Sequence, residues 1–186
     1  VITHVNKNEA VTLNDHFITV FRLSSEIYKD TEGAFDITVA PLVNAWGFGF
    51  KNGITPDRHA IDSLMQFVGF DKVKLQDGKI IKTDDRLMLD CSAIAKGYGV
   101  DAVARLLKSK GIDNYMVEIG GEIVASGESP KGAPWRIGVS KPDDDSVSVS
   151  NEIQGIINIS NRAMATSGNY RNFYYKGGKK YAHTID

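Results

Sequence analysis

The sequence is short of several features that would point to particular classes of protein. Cys91 is the only cysteine, so neither an intrachain disulfide nor a multi-cysteine metal site can form. No apolar run approaches the roughly 20 residues that a membrane-spanning helix needs. The 22 basic and 23 acidic side chains leave a formal net charge of −1 and lie scattered along the chain. Because a nucleic-acid-binding surface needs a basic surplus, the composition argues against that class.

The length and composition are those of an ordinary globular domain. The chain has 186 residues, of which 42% are hydrophobic and 24% charged, enough to build a proper core. It begins at Val1 rather than at a methionine, within a segment whose weak alternation predicts a strand. We therefore interpret residues 1–186 as a single domain, or two intimately joined halves, truncated at both ends.

Helical and strand patterns are mixed along the chain. Asn14 can cap a helix that the apolar spacing predicts from Asp15 to Lys29. A second helix is predicted to start at Thr55-Pro56 and to reach Val68, and a third from Ile94 to Lys110. Regular βαβ alternation is absent from the pattern, so the sequence predicts an α+β fold. Strands are predicted at VKL, KII and LML between Phe70 and Leu89, and at 1–13, 115–119, 122–125, 135–139, 153–159, 172–176 and 180–185.

The segment LDCSAIAKGYGVD, from Leu89 to Asp101, is the first place where chemistry could occur. A predicted strand runs into a turn, and a helix follows within a few residues. Free backbone N–H groups at a helix start favour anions, and Lys96, one turn into the helix, could reach a phosphate. Asp90 at the strand end could accept from a ribose or a base. Alternatively, Asp90 or Ser92 only caps the helix, and Lys96 is a surface charge.

The segment ATSGNYRN, from Ala165 to Asn172, is the second candidate. Thr166, Ser167 and Gly168 place two hydroxyls beside a flexible backbone, which suits the binding of a phosphate. The alternative is an ordinary β-turn with a hydrogen bond from the side chain of Asn169.

The segment AHTID at the end of the chain is the third candidate. His183 could accept a proton, and Asp186 offers a carboxylate oxygen of the kind that magnesium prefers. A structural histidine near a strand end and a solvated last residue are the alternatives.

The segment VEIGGEIVASG remains open between two interpretations. Glycines between strands indicate a bulge or a tight bend, and they also let a ligand approach the backbone closely. Glu118 or Glu122 could therefore line a pocket.

Taken together, these segments resemble the ApbE family, the FAD:protein FMN transferases. The similarity lies in four stretches that follow the order and spacing of the family. They are GAFDITVAPLVNAWGFG (33–49), LDCSAIAKGYGVDAVARLLKSKGIDNYMVEIGGEIVASG (89–127), WRIGVSKP (135–142) and ATSGNYRNFYYKGGKKYAHTID (165–186).

The resemblance implies a magnesium-dependent enzyme that binds FAD and transfers FMN to a threonine or serine hydroxyl of a target protein, releasing AMP. It implies that Ala93, through its carbonyl, and Asp186 are magnesium ligands, and that His183 and Asp186 are catalytic, with His183 helping to deprotonate the attacking hydroxyl. The residues that it implies for FAD binding are Ala34, Phe35, Asp36, Asp90, Lys96, Thr166, Ser167 and Gly168.

Two other functions stay open within the same pocket: hydrolysis of FAD to FMN and AMP, and binding of FAD without catalysis. By resemblance, the target is a subunit of a membrane redox complex. The resemblance also implies an extracytoplasmic location in a bacterium, with a lipid anchor on the full-length protein.

Overall fold

A computed structural model of the chain describes residues 1–49, 55–142, 152–169 and 172–183. The chain divides into two compact units, Val1–Ala95 and Lys96–Asp186. Every strand pair in the described part is antiparallel, and helices and strands do not alternate as βαβ units. This arrangement confirms the predicted α+β class. Within the same residues, no helix has the length and apolar character that crossing a membrane would require.

The first unit is mainly helical. The side chain of Asn14 accepts a hydrogen bond from the backbone N–H of Phe17 at 2.9 Å, which confirms the predicted start of the second helix. The elements are α1 (Ile2–Asn6), α2 (Asp15–Asp30), a 3₁₀ helix (Ile37–Val39), α3 (Ala40–Ala45), α4 (Arg58–Met65), a second 3₁₀ helix (Phe70–Lys72), β1 (Val73–Gln76), β2 (Lys79–Lys82) and the first turn of α5 (Ser92–Ser109).

The predicted strand at the start of the chain is wrong. Residues Ile2–Asn6 form α1, and the side chain of Asn6 pairs with the backbone of Leu89. Asn6 Nδ2 donates to the carbonyl of Leu89, and Asn6 Oδ1 accepts from the N–H of Leu89, each at 2.8 Å. One amide side chain thus satisfies both polar groups of a buried residue, so a neighbouring strand is not needed there.

Residues 87–89, also predicted as a strand, form no ladder in the described part of the chain. Leu87 and Leu89 are nevertheless 0% and 1% exposed. The alternating pattern therefore indicates which side chains are buried, and not a paired strand. They belong to the main core of the first unit. Its buried members are Val5, Leu13, Phe21, Ile37, Phe70, Val73, Leu87 and Leu89.

The second unit consists mainly of antiparallel strands. The prediction from sequence missed the short strand β7, whose three residues carry little alternation. The elements are the remainder of α5, β3 (Tyr115–Ile119), β4 (Glu122–Ser126), β5 (Trp135–Ser140), β6 (Ile153–Ile159), β7 (Arg162–Met164), β8 (Phe173–Lys176) and β9 (Lys179–Ala182).

The sheet β3–β4–β7 has two faces with different neighbours. Ile119 and Glu122 are opposite one another in the ladder, so their side chains share a face. Helix α5 lies on that face, because a Cβ on Gly99 would be only 3.2 Å from Ile119 Cδ1. On the other face, Ile123 of β4 packs with residues of the β5–β6 hairpin. The buried residues of this second core are Ile123, Ala125, Ile137 and Ile159.

Candidate functional site

Asp36 is held at the start of the first 3₁₀ helix by its own loop. Its Oδ1 accepts hydrogen bonds from the backbone N–H and from the hydroxyl of Thr38, both at 2.7 Å. The Thr38 hydroxyl oxygen in turn accepts from the N–H of Gly69 at 2.7 Å. Thr38 is completely buried, so this chain of hydrogen bonds fixes the Asp36 carboxylate against the core.

Asp90 lies beside this loop. Its backbone N–H donates to the carbonyl of Ile37 at 2.7 Å, which joins the segment after Asp36 to the segment before α5. Its Oδ1 accepts from the N–H of Ser92 at 2.7 Å, which is a turn from an aspartate to the residue two positions later, directly before α5. This turn uses one carboxylate oxygen, and a carboxylate retains further acceptor sites for a ligand. The structure therefore brings the predicted residues Asp36 and Asp90 onto adjoining segments of the first unit.

The other predicted residues of the first unit surround these two carboxylates in sequence. Phe35 is half-buried against the core, and its N–H donates to the Thr31 hydroxyl at 3.1 Å. Ala34 and Ala93 are exposed, and Ala93 lies in the first turn of α5. A flat aromatic ring supported from below is suited to contact with another ring.

Cys91 does not contribute a reactive group. Its side chain packs against the first core, and burial together with the neighbouring Asp90 carboxylate raises the pKa of the thiol to about 11. A thiol with this pKa is protonated at neutral pH, and the thiolate is the reactive form. Cys91 is therefore a packing residue of the first unit.

In the second unit, Lys96 is held over the turn between β3 and β4. Its Nζ donates to Glu122 Oε1 at 2.9 Å and lies 2.8 Å from Glu122 Oε2, with the carbonyl of Gly120 at 3.3 Å. The Lys96 side chain is 48% exposed and that of Glu122 only 19%. Part of the ammonium group thus faces solvent while its counter-charge is largely buried. Glu122, left open by the sequence, belongs to the site.

The Gly120–Gly121 turn brings a second predicted group to the same place. Both glycines have positive φ, +56° and +95°, which is the geometry of a two-residue hairpin turn. A Cβ on Gly121 would lie 3.5 Å from the Thr166 hydroxyl oxygen, because β7 pairs with β4 and the chain continues past the turn. Lys96 and Thr166 therefore approach one turn from two elements of the second unit.

The hydroxyl groups of Thr166 and Ser167 have no hydrogen-bond partner among the residues that the structure describes. Both residues are exposed, and Gly168 after them is half-buried. The Asx-type hydrogen bond predicted for Asn169 involves the backbone of residue 171, which lies outside the described residues. Two unengaged hydroxyls next to a lysine ammonium form a cluster of donors that suits an oxyanion.

His183 has a defined hydrogen bond, whereas Asp186 lies outside the described residues. The Nδ1 atom of His183 is 3.3 Å from the carbonyl oxygen of Asn172, which can only accept. In the neutral imidazole this contact places the proton on Nδ1. The predicted role of His183 as a proton acceptor stays a prediction.

Magnesium has no preformed protein cage in the described ranges. Those residues contain no cluster of three or more His, Cys, Asp or Glu that could hold a metal ion. The predicted ligands are the Ala93 carbonyl and the Asp186 carboxylate, both oxygen donors of the type that magnesium takes. Because Asp186 is not among the described residues, the magnesium site stays a prediction.

A groove of about 600 Å³ lies elsewhere, between α2 and the β1–β2 hairpin. Phe21, Tyr28 and Phe70 contribute aromatic surface to it, and side chains of both charges, including Lys29 and Asp71, line it as well. None of the predicted site residues lines this groove. The candidate groups of each unit are therefore the hydrogen-bonded ones described above, and this groove is not among them.

Sequence reasoning missed Thr38 as a supporting residue. The spacing Asp-x-Thr at residues 36–38 is a usable signal, because an aspartate often accepts hydrogen bonds from the residue two positions later. The bond from Gly69 could not be foreseen, since it joins residues 31 positions apart.

Comparison with known proteins identifies a family. The model of the ApbE family matches residues 1–186. Two curated relatives are both named FAD:protein FMN transferase. The relative from Vibrio cholerae is 41% identical over 181 residues, covering 96% of this chain and 53% of the relative. The relative from Haemophilus influenzae is 38% identical over 185 residues, with the same coverages of 96% and 53%. The chain thus spans about half the length of these relatives.

A solved structure agrees with the sequence comparison. The chain is similar to the flavin transferase ApbE from Vibrio cholerae with a TM-score of 0.82 and 38% identity. The alignment covers 100% of this chain and 59% of that one. At this identity the likeness extends to the family and not only to the fold.

Proposed function

This chain belongs to the ApbE family, and from that premise we propose that its protein transfers FMN from FAD to another protein. The proposed acceptor is a threonine or serine hydroxyl, the proposed second product is AMP, and the reaction is proposed to need magnesium. The observation that carries the proposal is the cluster at the Gly120–Gly121 turn, where the Lys96 ammonium and the Thr166 hydroxyl approach one point.

The proposed reaction exchanges one phosphorus–oxygen bond for another. The acceptor oxygen forms a bond to the phosphorus of the FMN half of FAD. The bond from that phosphorus to the bridging oxygen of the pyrophosphate breaks, and AMP leaves with this oxygen. The acceptor hydroxyl loses its proton. Because the transition state carries charge on non-bridging oxygens, positioning and charge neutralisation provide most of the catalysis.

Lys96 and the hydroxyls of residues 166–167 are suited to bind the phosphate oxygens. The Lys96 ammonium is partly exposed and already held, so a bound anion need not order a free side chain. The Thr166 and Ser167 hydroxyls can donate to oxygens of the same group, and Gly168 leaves the backbone accessible.

Asp36 and Asp90 are suited to bind the uncharged parts of FAD. Each carboxylate has one oxygen fixed by the protein, so its remaining acceptor sites have a set direction. Hydroxyl groups of a sugar and N–H groups of a ring are the donors that such acceptors select. Phe35 and Ala34 would contribute apolar contact next to Asp36.

We assign His183 to accept the proton of the attacking hydroxyl. The Ala93 carbonyl and Asp186 would hold magnesium, which supplies charge neutralisation at the pyrophosphate when bound. The proposed catalytic role of Asp186 is to hold this magnesium ion.

The proposal also covers where the protein acts. An extracytoplasmic location with a lipid anchor, and a membrane redox subunit as the acceptor, follow from the family resemblance. Fractionation of cells that express the full-length protein tests the location.

Intact-mass analysis tests the reaction directly. The full-length protein is incubated with FAD, magnesium and a peptide that carries an acceptor threonine. We expect the peptide to gain the mass of one FMN, with no gain after addition of a chelator or when the threonine is replaced by valine. Release of FMN and AMP with the peptide unchanged would indicate a hydrolase, and intact bound FAD would indicate a binding protein. Either result contradicts the proposed transfer.

A further inference from the structure

We infer that Glu122 is a positioning residue, which fixes Lys96 for FAD and does not itself contact the ligand. The inference rests on the function proposed above, because it takes Lys96 to be part of the flavin site. It assigns a purpose to a carboxylate that the sequence left open and that the proposed reaction does not use.

The contact between the two side chains is unusually complete for a surface pair. Lys96 Nζ lies 2.9 Å from Oε1 and 2.8 Å from Oε2 of Glu122, so both carboxylate oxygens face the ammonium group. Oε1 accepts a well-directed hydrogen bond. Oε2 is shielded from solvent and has no aligned donor in the described part of the chain, so its compensation comes from the charge of Lys96.

The surroundings of the pair leave Glu122 little freedom. Glu122 is the first residue of β4 and is opposite Ile119 in the ladder, on the face that α5 covers. The turn before it allows the approach: a Cβ on Gly120 would lie 3.2 Å from Lys96 Cδ, which is closer than ordinary contact. The carboxylate is therefore anchored by the sheet, whereas the longer Lys96 side chain is the partner that needs a fixed position.

The pairing with Glu122 leaves one N–H donor of Lys96 for a ligand. An ammonium group has three N–H donors. Oε1 and the Gly120 carbonyl engage two of them on the protein side, and the group is still half exposed. A donor held in this way can meet a phosphate oxygen without the entropy cost of ordering a free lysine.

Substitutions at Glu122 separate positioning from charge. In Glu122→Gln, the charge is lost and one of the two acceptor oxygens becomes an NH₂ group, so the side chain holds Lys96 through at most one oxygen. In Glu122→Asp, the charge stays but both oxygens withdraw by one methylene. A pure charge effect would make FAD bind more tightly to Glu122→Gln, since a negative charge near an anion is removed, and would leave Glu122→Asp unchanged. Positioning weakens binding in both variants.

The experiment measures the affinity of the full-length protein for FAD by flavin fluorescence, together with the melting temperature. We expect Kd to rise about tenfold in Glu122→Gln and in Glu122→Asp. In a Lys96→Met background, the same substitutions should change Kd less than about twofold, because Glu122 then has nothing to position. Glu118→Gln is the matched control: Glu118 is opposite Ile123 and so lies on the other face of the hairpin. It should bind FAD like the parent.

Three results would overturn the inference. The first is an unchanged or lower Kd in both Glu122 variants. The second is a full loss that persists in the Lys96→Met background. The third is a lower melting temperature with unaltered affinity, which is a purely structural role. In each case, a parent protein that binds FAD and modifies the acceptor peptide leaves the proposed function standing. A parent that binds no FAD refutes both.

Discussion

In the first unit, Asp36 and Asp90 are fixed by hydrogen bonds to backbone that lies directly on a core of eight buried residues. In the second unit, Lys96 is fixed by an ion pair above a turn of two glycines, and the core on the other face of the sheet contains four buried residues. The candidate acceptors of the first unit are therefore held by hydrogen bonds to a packed backbone, and the candidate donor Lys96 of the second unit is held by an ion pair. The stability of a packed core changes little with salt or pH but falls when a side chain is made smaller. A half-exposed ion pair is instead weakened by salt and by changes in pH, and it depends little on the volume of nearby side chains.

The largest expected effect comes from removing volume in each core. Leu87→Ala should lower the free energy of unfolding of the first unit by about 4 kcal/mol, and Ile137→Ala should cost the second unit about 2 kcal/mol, since its core is smaller. Urea unfolding followed by tryptophan fluorescence measures both, because the chain's two tryptophans, Trp46 and Trp135, report on one unit each. Equal losses would remove the contrast between the two cores.

The next largest effect is expected from removing the hydroxyl of Thr38, which donates a hydrogen bond to Asp36. Thr38→Val removes a buried hydroxyl that donates to Asp36 and accepts from Gly69, so it should cost about 2 kcal/mol of stability. It should also weaken FAD binding, since Asp36 loses one of its two fixed donors. Thr38→Ser, which keeps the hydroxyl, is the control for affinity measured by fluorescence titration. A Thr38→Val protein with parental affinity would show that the Asp36 carboxylate needs no support.

A smaller effect compares two glycines in equivalent turns. Gly78 follows β1 with φ of +70°, and a Cβ placed on it would meet no atom within 4 Å, whereas a Cβ on Gly120 would be crowded by Lys96. Replacement by alanine should cost about 1 kcal/mol at either position because of the left-handed backbone. Only Gly120→Ala should also weaken FAD binding, by displacing Lys96. Equal affinities in calorimetric titration would argue that the turn does not set the position of Lys96.

The smallest effect is electrostatic and lies outside the site. Hydrogen bonds from Arg86 hold the pKa of the Asp84 carboxyl at about 2, below its ordinary value of 3.8. The ionised form is therefore favoured in the folded protein, and its contribution to stability is present above about pH 4 and is lost as pH falls through about 2. In Arg86→Ala the pKa should return toward the ordinary range, as carboxyl ¹³C NMR would detect. An unmoved titration would show that Arg86 is not the cause.

The sequence predicted elements whose signals are local. The Asn14 cap and the helix that became α5 depend on neighbours within a few positions, and both are confirmed. The wrong and missed elements have distant causes. Helix α1 forms where a strand was predicted, because Asn6 reaches Leu89, and β7 exists only through its pairing with β4.

In the candidate site as well, residues with local signals could be predicted and residues that depend on distant contacts could not. The residues with motif-like surroundings, such as Asp90, Lys96 and Thr166, could be named from sequence. The partner of Lys96 could not, because the bond to Glu122 joins residues 26 positions apart. Pairing of this kind depends on how α5 lies on the sheet, which no local pattern encodes.

The double hydrogen bond between Asn6 and Leu89 has a consequence for the order of folding events. The two residues are separated by 83 positions, so this contact closes a long loop. Closing this loop lowers the entropy of the chain before the contact contributes any stability. The contact therefore forms more slowly than the local hydrogen bonds of α2. On a ribosome, the segment that leads to Asp90 emerges long after Asn6. The contact between Asn6 and Leu89, and the hydrogen bond that places Asp90 beside the loop of Asp36, can therefore form only after residues 89–90 have emerged.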